Sequence, residues 1–477
     1  MGQRELGWLR EDRMPQHPDH ARNASLHGLD RRELVRLGVL GAGGLMIRSL
    51  PVAASTAVSS KATMLDFRAE PMDVVRIGFV GVGLQGTSHI ENFLKIDGIE
   101  IRAVCDIVED RIGRAQQLVV DAGGKKPKGY SRGPRDFVRL CDRSDLDLVF
   151  CSTPWEWHVP VCVAAMENGK HAATEVPMAL TVDDCWRLVE VSEKTSRHCV
   201  MMENCNYDRF EMMVLNMVEK GVFGELLHAR CGYLHDLRAV KHDIEGEGSW
   251  RRAHSMTTNG DLYPTHGLGP VAQCLEINRG NAFSSLSSFG TKTRGLRQYA
   301  LERFGLESPQ ADEEFVLSDI VTTVLQTAAG ETVVVTHDTS SPRPYSRDYL
   351  VQGTRGLARK YPEPLVYIEG RSDPHRWDPA EEYREEYDHP VWRRLEKASA
   401  GAGHGGMDFI EDFRLVEALQ KGRPLDMDVY DGAMMSAVVD LSGRSIAGGG
   451  QLLEFPDFTR GGWKNPRPLE VMRIDPS

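Results

Sequence analysis

The chain has 477 residues, 41% of them hydrophobic, and a formal net charge of −12, with a pI of about 5.8 and a mean hydropathy of −0.36. That length suits two or three domains with a sizeable core, and the acidity argues against nucleic acid or an anionic membrane as the main partner. No later segment has the roughly 18 uninterrupted apolar residues of a membrane span, so no stable span is expected.

Residues 1–57 read as a leader. A polar start is followed by Leu29-Asp30-Arg31-Arg32-Glu33-Leu34-Val35-Arg36, an apolar run over 37–47 and the small-residue zone Val52-Ala53-Ala54-Ser55-Thr56-Ala57. A paired arginine, a short apolar region and small residues at a cleavage zone describe a twin-arginine export signal. The expected location is therefore periplasmic or extracellular, with the twin-arginine machinery as a partner. Nine cysteines without a CxxC pair fit a disulfide framework poorly and read as buried thiols.

Residues 58–202 read as a dinucleotide-binding domain. The apolar run Val74-Val75-Arg76-Ile77-Gly78-Phe79-Val80 leads into Gly81-x-Gly83-x-x-Gly86, and a helix can start at Thr87. The three glycines do different things: one makes the tight turn, one admits the pyrophosphate and one lets helix and strand touch. Leu84 and Gln85 then stand at the positive end of the helix, where phosphates bind free N–H groups. A second strand over 99–105 ends in Asp106, about 20 residues on, where a carboxylate bonds ribose hydroxyls and repels a 2′-phosphate. The expected cofactor is NAD rather than NADP. Further strands are expected at 146–151, 171–174 and 198–202, with a helix over 183–195. Continuous apolar strands imply a parallel sheet covered on both faces, with ligands at its carboxyl ends. The residues just beyond those ends are Trp155-Glu156-Trp157-His158, Glu175-Val176-Pro177 and Glu203-Asn204.

Residues 203–477 read as a substrate domain. A helix is expected at 209–220, strands at 226–234, 282–291, 319–327 and 331–337, and helices at 407–419 and 429–445. The 319–337 stretch looks like an antiparallel hairpin. Residues 373–406, charged and Gly-rich, read as a long surface loop. The fold class is α/β: a Rossmann doubly wound parallel sheet followed by an α+β domain with an open, mainly antiparallel sheet. Pairing of two such sheets makes a homo-oligomer possible.

The order of nucleotide half, Glu175-x-Pro177 and antiparallel sheet resembles the Gfo/Idh/MocA oxidoreductases. That family normally has a lysine between the glutamate and the proline, and this chain has Val176, which cannot transfer a proton. Trp155-Glu156-Trp157-His158, Met202-Glu203-Asn204, Gly232-Tyr233-x-His235-Asp236-Leu237-Arg238, Tyr263-Pro264-Thr265-His266-Gly267, Ser341-Pro342-Arg343-Pro344-Tyr345 and Gly403-His404-Gly405-Gly406-Met407-Asp408 resemble one branch of it, glycoside hydrolase family 109. The resemblance implies an α-N-acetylgalactosaminidase that uses NAD+ as a recycled oxidant, with N-acetylgalactosaminides or related glycans as substrates. An export route that carries folded proteins agrees with a tightly held NAD, resting as NAD+.

The resemblance also implies site residues. His266 is the expected base for the C3-hydroxyl proton, a role that suits a neutral imidazole. Tyr233 is expected to take the C2 proton, and a phenol would need its pKa depressed by a cation such as Arg251 or His235. Arg251, Tyr263, Pro264, Thr265 and Tyr345 complete the substrate set. Asn204, His158, Glu156, Glu175 and Val176 face the cofactor, while Trp155 and Trp157 either stack on it or fill the core. No metal site is read, because His235, His242, His254 and His266 lack a helical, carboxylate-flanked pattern. A true sugar or inositol dehydrogenase and a non-catalytic carbohydrate-binding protein remain open alternatives.

Overall fold

The computed structural model describes residues 63–473. The leader, with Arg31 and Arg32, lies outside the described residues.

Six strands, β1 (Val75–Val80), β2 (Ile99–Cys105), β3 (Lys128–Tyr130), β4 (Leu148–Cys151), β5 (His171–Thr174) and β6 (Cys199–Met201), form a parallel sheet in the order β3-β2-β1-β4-β5-β6. This is the doubly wound arrangement, whose switch point lies between β1 and β4. β4 and β5 are buried along their whole length because helices cover both faces. Phe79 of β1 and Phe150 of β4 stack with ring centroids 5.2 Å apart, and Phe93 meets both edge-on. That cluster seats the helix Leu84–Phe93 on the sheet.

The observed elements differ from the expected ones at four places, three of them with a physical cause. The strand expected from residue 146 begins at Leu148, because Asp147 is spent on Arg76, whose Nη2 lies 2.5 Å from Oδ1. The expected strand at 198–202 covers Cys199–Met201. β3, three residues with two exposed, carries too little apolar pattern to be seen. The expected surface loop over 373–406 holds the helices Glu381–Tyr387 and Pro390–Ser399, which bury Tyr383, Tyr387, Val391, Trp392 and Leu395 and expose their charges.

The second sheet has nine strands in the order β14-β13-β12-β11-β7-β10-β9-β8-β15. Its centre is β7 (Leu226–Leu234), paired in parallel with β10 (Thr332–Asp338). β10 pairs antiparallel with β9 (Val321–Thr327), the expected hairpin. The flanking strands are β8 (Phe283–Gly290), β11 (Leu350–Gly353), β12 (Gly356–Arg359), β13 (Leu365–Ile368), β14 (Asp378–Pro379) and β15 (Leu453–Glu454), all joined antiparallel.

The last two long helices return to the nucleotide half. Met407–Lys421 packs beside Leu84–Phe93, and Val429–Ala447 beside Val182–Thr195. Asp428 starts the latter helix with a capping box closed by Asp431. All nine cysteines are buried and free.

Candidate active site

A cavity of about 570 Å³ opens at the carboxyl ends of β1, β4 and β5 and continues to the second sheet. Its nucleotide end begins at Gly81, whose φ of +83° suits glycine and whose absent Cβ would lie 2.5 Å from the Ser152 carbonyl oxygen. Gly83, Leu84 and Gln85 border the cavity; Gly86 lies behind it, where a Cβ would meet the Gly81 carbonyl oxygen at 2.2 Å. Gly86 thus lets helix and strand touch. Asp106 is fixed by two backbone donors, Val82 N–H on Oδ2 and Val108 N–H on Oδ1, both at 2.9 Å. A tight glycine turn, a helix N-terminus and a held carboxylate at a strand end fit a dinucleotide.

Trp155 borders the cavity with its indole nitrogen donating to the Val176 carbonyl at 3.1 Å. Trp157 is half-buried, also borders the cavity and meets Phe137 edge-on. Val176 and Asn204 line the wall as well. Four expected cofactor or substrate residues take other parts. Glu156 is outside the lining, its carboxylate 3.4 Å from His254 Nε2. Thr265 is fully buried in the first turn of the helix Thr265–Cys274, and Pro264 precedes it as the N-cap; both position His266 without lining the cavity. His158 borders the cavity, but its ring nitrogens face the backbone carbonyls of Pro177 (2.8 Å) and Thr153 (2.9 Å), which makes it a strut.

At the sugar end, His266 Nδ1 lies 2.7 Å from Glu203 Oε1. Burial pushes the fully enclosed Glu203 carboxyl up, but the charge and hydrogen bond of His266 outweigh it and hold Glu203 below the usual range. A charged Glu203 accepting from Nδ1–H leaves Nε2 as the acceptor of the ring, without a protein partner among the described residues. Two glycines make the position possible. A Cβ on Gly267 would fall 2.3 Å from Gly232 N, and one on Gly232 would fall 2.1 Å from the Thr336 carbonyl oxygen. Backbone therefore presses on backbone, and the ring centroids of His266 and Tyr233 come within 5.6 Å.

Tyr233 differs from its expected state. Burial pushes its phenol up to about 12, against the opposing pull of Arg251. Burial lowers the His235 imidazole from its ordinary value, which disfavours the cation expected there. Its Nδ1 lies 2.9 Å from the Tyr233 hydroxyl, within hydrogen-bond distance. Tyr263 packs against both Tyr233 and His266. Arg251 borders the cavity over the Trp250 ring at 4.2 Å, without a carboxylate partner among the described residues. Tyr345 is 40% exposed and stands beside Tyr233 and His235, outside the cavity lining.

Several residues at or behind the cavity wall, among them His89, Asp412, His404, Arg111 and Glu247, had no individual role in the sequence. Glu175 Oε1 accepts from His89 Nε2 at 2.7 Å, and Asp412 takes His89 Nδ1 at 2.8 Å. Burial opposes the His89 charge, but Asp412 and Glu175 outweigh it and raise the imidazole well above its usual value. His404, at φ +48°, borders the cavity with Nδ1 2.7 Å from Asp408, whose other oxygen accepts from Asn204 Nδ2 at 2.6 Å. The hydrogen bond to Asp408 raises His404. Only the Gly403-to-Asp408 motif could have flagged it. Cys205 lies with Glu203 and His266 in a donor cluster, but burial raises its thiol well above the ordinary value, which disfavours the thiolate a metal needs. Arg111 and Glu247 complete the nucleotide end, Nη2 and Oε1 being 3.1 Å apart.

Two family models match the chain. "Oxidoreductase family, NAD-binding Rossmann fold" covers residues 75–203, and "Glycosyl hydrolase 109, C-terminal domain" covers residues 207–465. A glycosyl hydrolase family 109 protein of Shewanella pealeana is 42% identical over 452 residues, 93% of this chain and 99% of its own. A Shewanella oneidensis protein named alpha-N-acetylgalactosaminidase is 41% identical over 457 residues, 94% of this chain and 100% of its own. Among solved structures, levoglucosan dehydrogenase in complex with NADH aligns with a TM-score of 0.62 at 19% identity, covering 80% of this chain and 99% of that one. An inositol dehydrogenase homolog from Azotobacter vinelandii complexed with NAD+ aligns with a TM-score of 0.60 at 20% identity, covering 82% and 99%. At such identities the likeness is one of fold.

Proposed function

The chain belongs to glycosyl hydrolase family 109 and is an NAD-dependent glycoside hydrolase, and from that premise we propose that it cleaves α-N-acetylgalactosaminides by temporary oxidation of the sugar. The state of the carboxylates carries this reading. Most glycosidases need two, flanking the scissile bond. The acidic side chains bordering this cavity are Asp106, Glu175 and Glu247, and each is engaged: by backbone N–H groups, by His89, and by Leu84 N–H with Arg111. Facing them stand two proton-handling pairs, His266–Glu203 and Tyr233–His235.

When bound, NAD+ supplies a two-electron acceptor for C3 of the sugar and gives the electrons back, so no net oxidant is consumed. Gly81, Gly83, Leu84, Gln85 and Asp106 would hold its nucleotide part, and Glu175, Val176 and Asn204 the nicotinamide end. His266 Nε2 receives the C3-hydroxyl proton, and the Glu203 charge stabilises the imidazolium formed. A C3 ketone acidifies the C2 proton. Tyr233 takes that proton as its own passes along the 2.9 Å contact to His235 Nδ1, so no free phenolate is required. The C1 substituent leaves, water adds, and the same groups return their protons. Arg251 and Tyr263 hold the sugar, with Tyr345 at the rim.

Incubation with a nitrophenyl α-N-acetylgalactosaminide in deuterated buffer is expected to place one deuterium on C2 of the released sugar, read by mass spectrometry. Release without exchange overturns the mechanism, and net accumulation of NADH from free sugars favours a dehydrogenase. The captive cofactor predicts NAD+ in the denatured supernatant of purified protein. Export through the paired arginines predicts activity in the periplasm, lost with Arg31→Lys and Arg32→Lys together; activity exported unchanged would end that part of the reading.

A further inference from the structure

Glu247 has no part in the proton chemistry, yet it occupies the cofactor cradle. It is carried by residues 243–249, which link the short helix Arg238–His242 to the helix Trp250–Thr257. Its Oε2 accepts from Leu84 N–H at 2.7 Å, at the start of the helix that follows the glycine turn. Its Oε1 lies 3.1 Å from Arg111 Nη2. A Cβ on Gly83 would meet Oε2 at 2.5 Å, so the carboxylate fills the space that this glycine leaves open.

Glu247 also separates two spaces. The main cavity of about 570 Å³ and an outer groove of about 420 Å³ share Gly83, Leu84 and Glu247 in their walls. Glu247 therefore stands between the cavity and the surface, on the donor that a dinucleotide diphosphate uses in this fold. The single Leu84 N–H cannot serve two anions at full strength, and a diphosphate drawn to Arg111 would be repelled by the carboxylates of Glu247, at 3.1 Å, and Asp106, at 3.6 Å, that already face it.

We propose that Glu247 is a tethered anion that exchanges with the diphosphate of the cofactor. It holds Leu84 N–H and Arg111 when the nucleotide is out. It swings aside toward the outer groove when the nucleotide enters, handing both donors to the diphosphate. The inference rests on the reading of this cavity as the NAD site. Glu247 then lowers apparent affinity by the fraction of molecules in which it is engaged, whereas a residue that contacts the cofactor raises it. The sign decides between the two roles.

The test is calorimetric titration of the full chain, stripped of nucleotide, with NAD+, ADP-ribose and adenosine. Glu247→Gln and Glu247→Ala are expected to bind NAD+ and ADP-ribose about three- to tenfold more tightly than the parent chain, with the larger gain at low salt. Adenosine, which has no diphosphate, is expected to bind all three proteins alike. Unchanged or weaker binding of NAD+ by the variants overturns the exchange, as does an equal gain for adenosine. A parent chain that binds neither NAD+ nor ADP-ribose overturns the inference together with the cofactor reading beneath it, an outcome distinct from the others.

Discussion

In the proposed mechanism His266 acts through a neighbour, Glu203, to which the sequence assigns no individual role. Glu203 lies two residues beyond the end of β6 and is fully buried, with its one hydrogen-bonded oxygen shared between His266 Nδ1 and Cys205 N–H. In that mechanism its charge fixes the tautomer of the base and stabilises the imidazolium. Glu203→Gln keeps shape and volume but removes the charge, so kcat is expected to fall by about 10²–10⁴-fold with NAD content unchanged; a loss of NAD in parallel would make Glu203 a structural residue instead. At this scale the glycines and Asp106 were legible because spacing alone defines what they do. Glu156 and Thr265 were not, because nothing in a motif says which side chains turn away from the cavity. The state of Tyr233 was illegible for a related reason: the sequence offers Arg251 as a cation but is silent on burial, and burial wins.

Elements place these residues by close backbone approach. The helix Thr265–Cys274 lies against β7 only because Gly267 and Gly232 have no side chains at the crossing. Gly267→Ala puts a methyl 2.3 Å from Gly232 N, and overpacking of this kind costs about 1–3 kcal/mol. The helix carries His266, so the variant is expected to lose catalytic rate beyond what its lower melting temperature explains, measured as kcat on folded protein at about 20 °C below the transition. Full activity in a destabilised variant would separate the crossing from the site. Most strands and long helices could be read because apolar runs and period-3.6 stripes are strong signals. The helices Glu381–Tyr387 and Pro390–Ser399 could not. Their buried residues are a few aromatic and aliphatic side chains among many charges, and helix and solvated loop look alike in such a stretch.

Within the described residues, the helix Val429–Ala447 ties the nucleotide half to the second sheet's side of the cavity. Ser436 Oγ accepts from Met178 N–H in the nucleotide half, and Ser442 Oγ accepts from Asp261 N–H beside the sugar end. Asp261 is fully buried, with Oδ1 accepting from Tyr263 N–H at 3.0 Å and Oδ2 without a partner among the described residues. Burial pushes its carboxyl from the ordinary 3.8 up to about 7. The folded state therefore holds the Asp261 proton more tightly than the unfolded chain does. The stabilisation is fully present below about pH 4, is lost as pH rises from about 4 to about 7, and changes no further above that. A shift of this size corresponds to at most about 4 kcal/mol. Asp261→Asn keeps the acceptor for Tyr263 and removes the titration. Denaturant unfolding at pH 5 and pH 8 is expected to show the parent chain losing more stability than the variant over that interval, the variant being the more stable at pH 8. Parallel losses in the two proteins would mean that Asp261 keeps its charge in the fold, and that water reaches the turn that holds Tyr263.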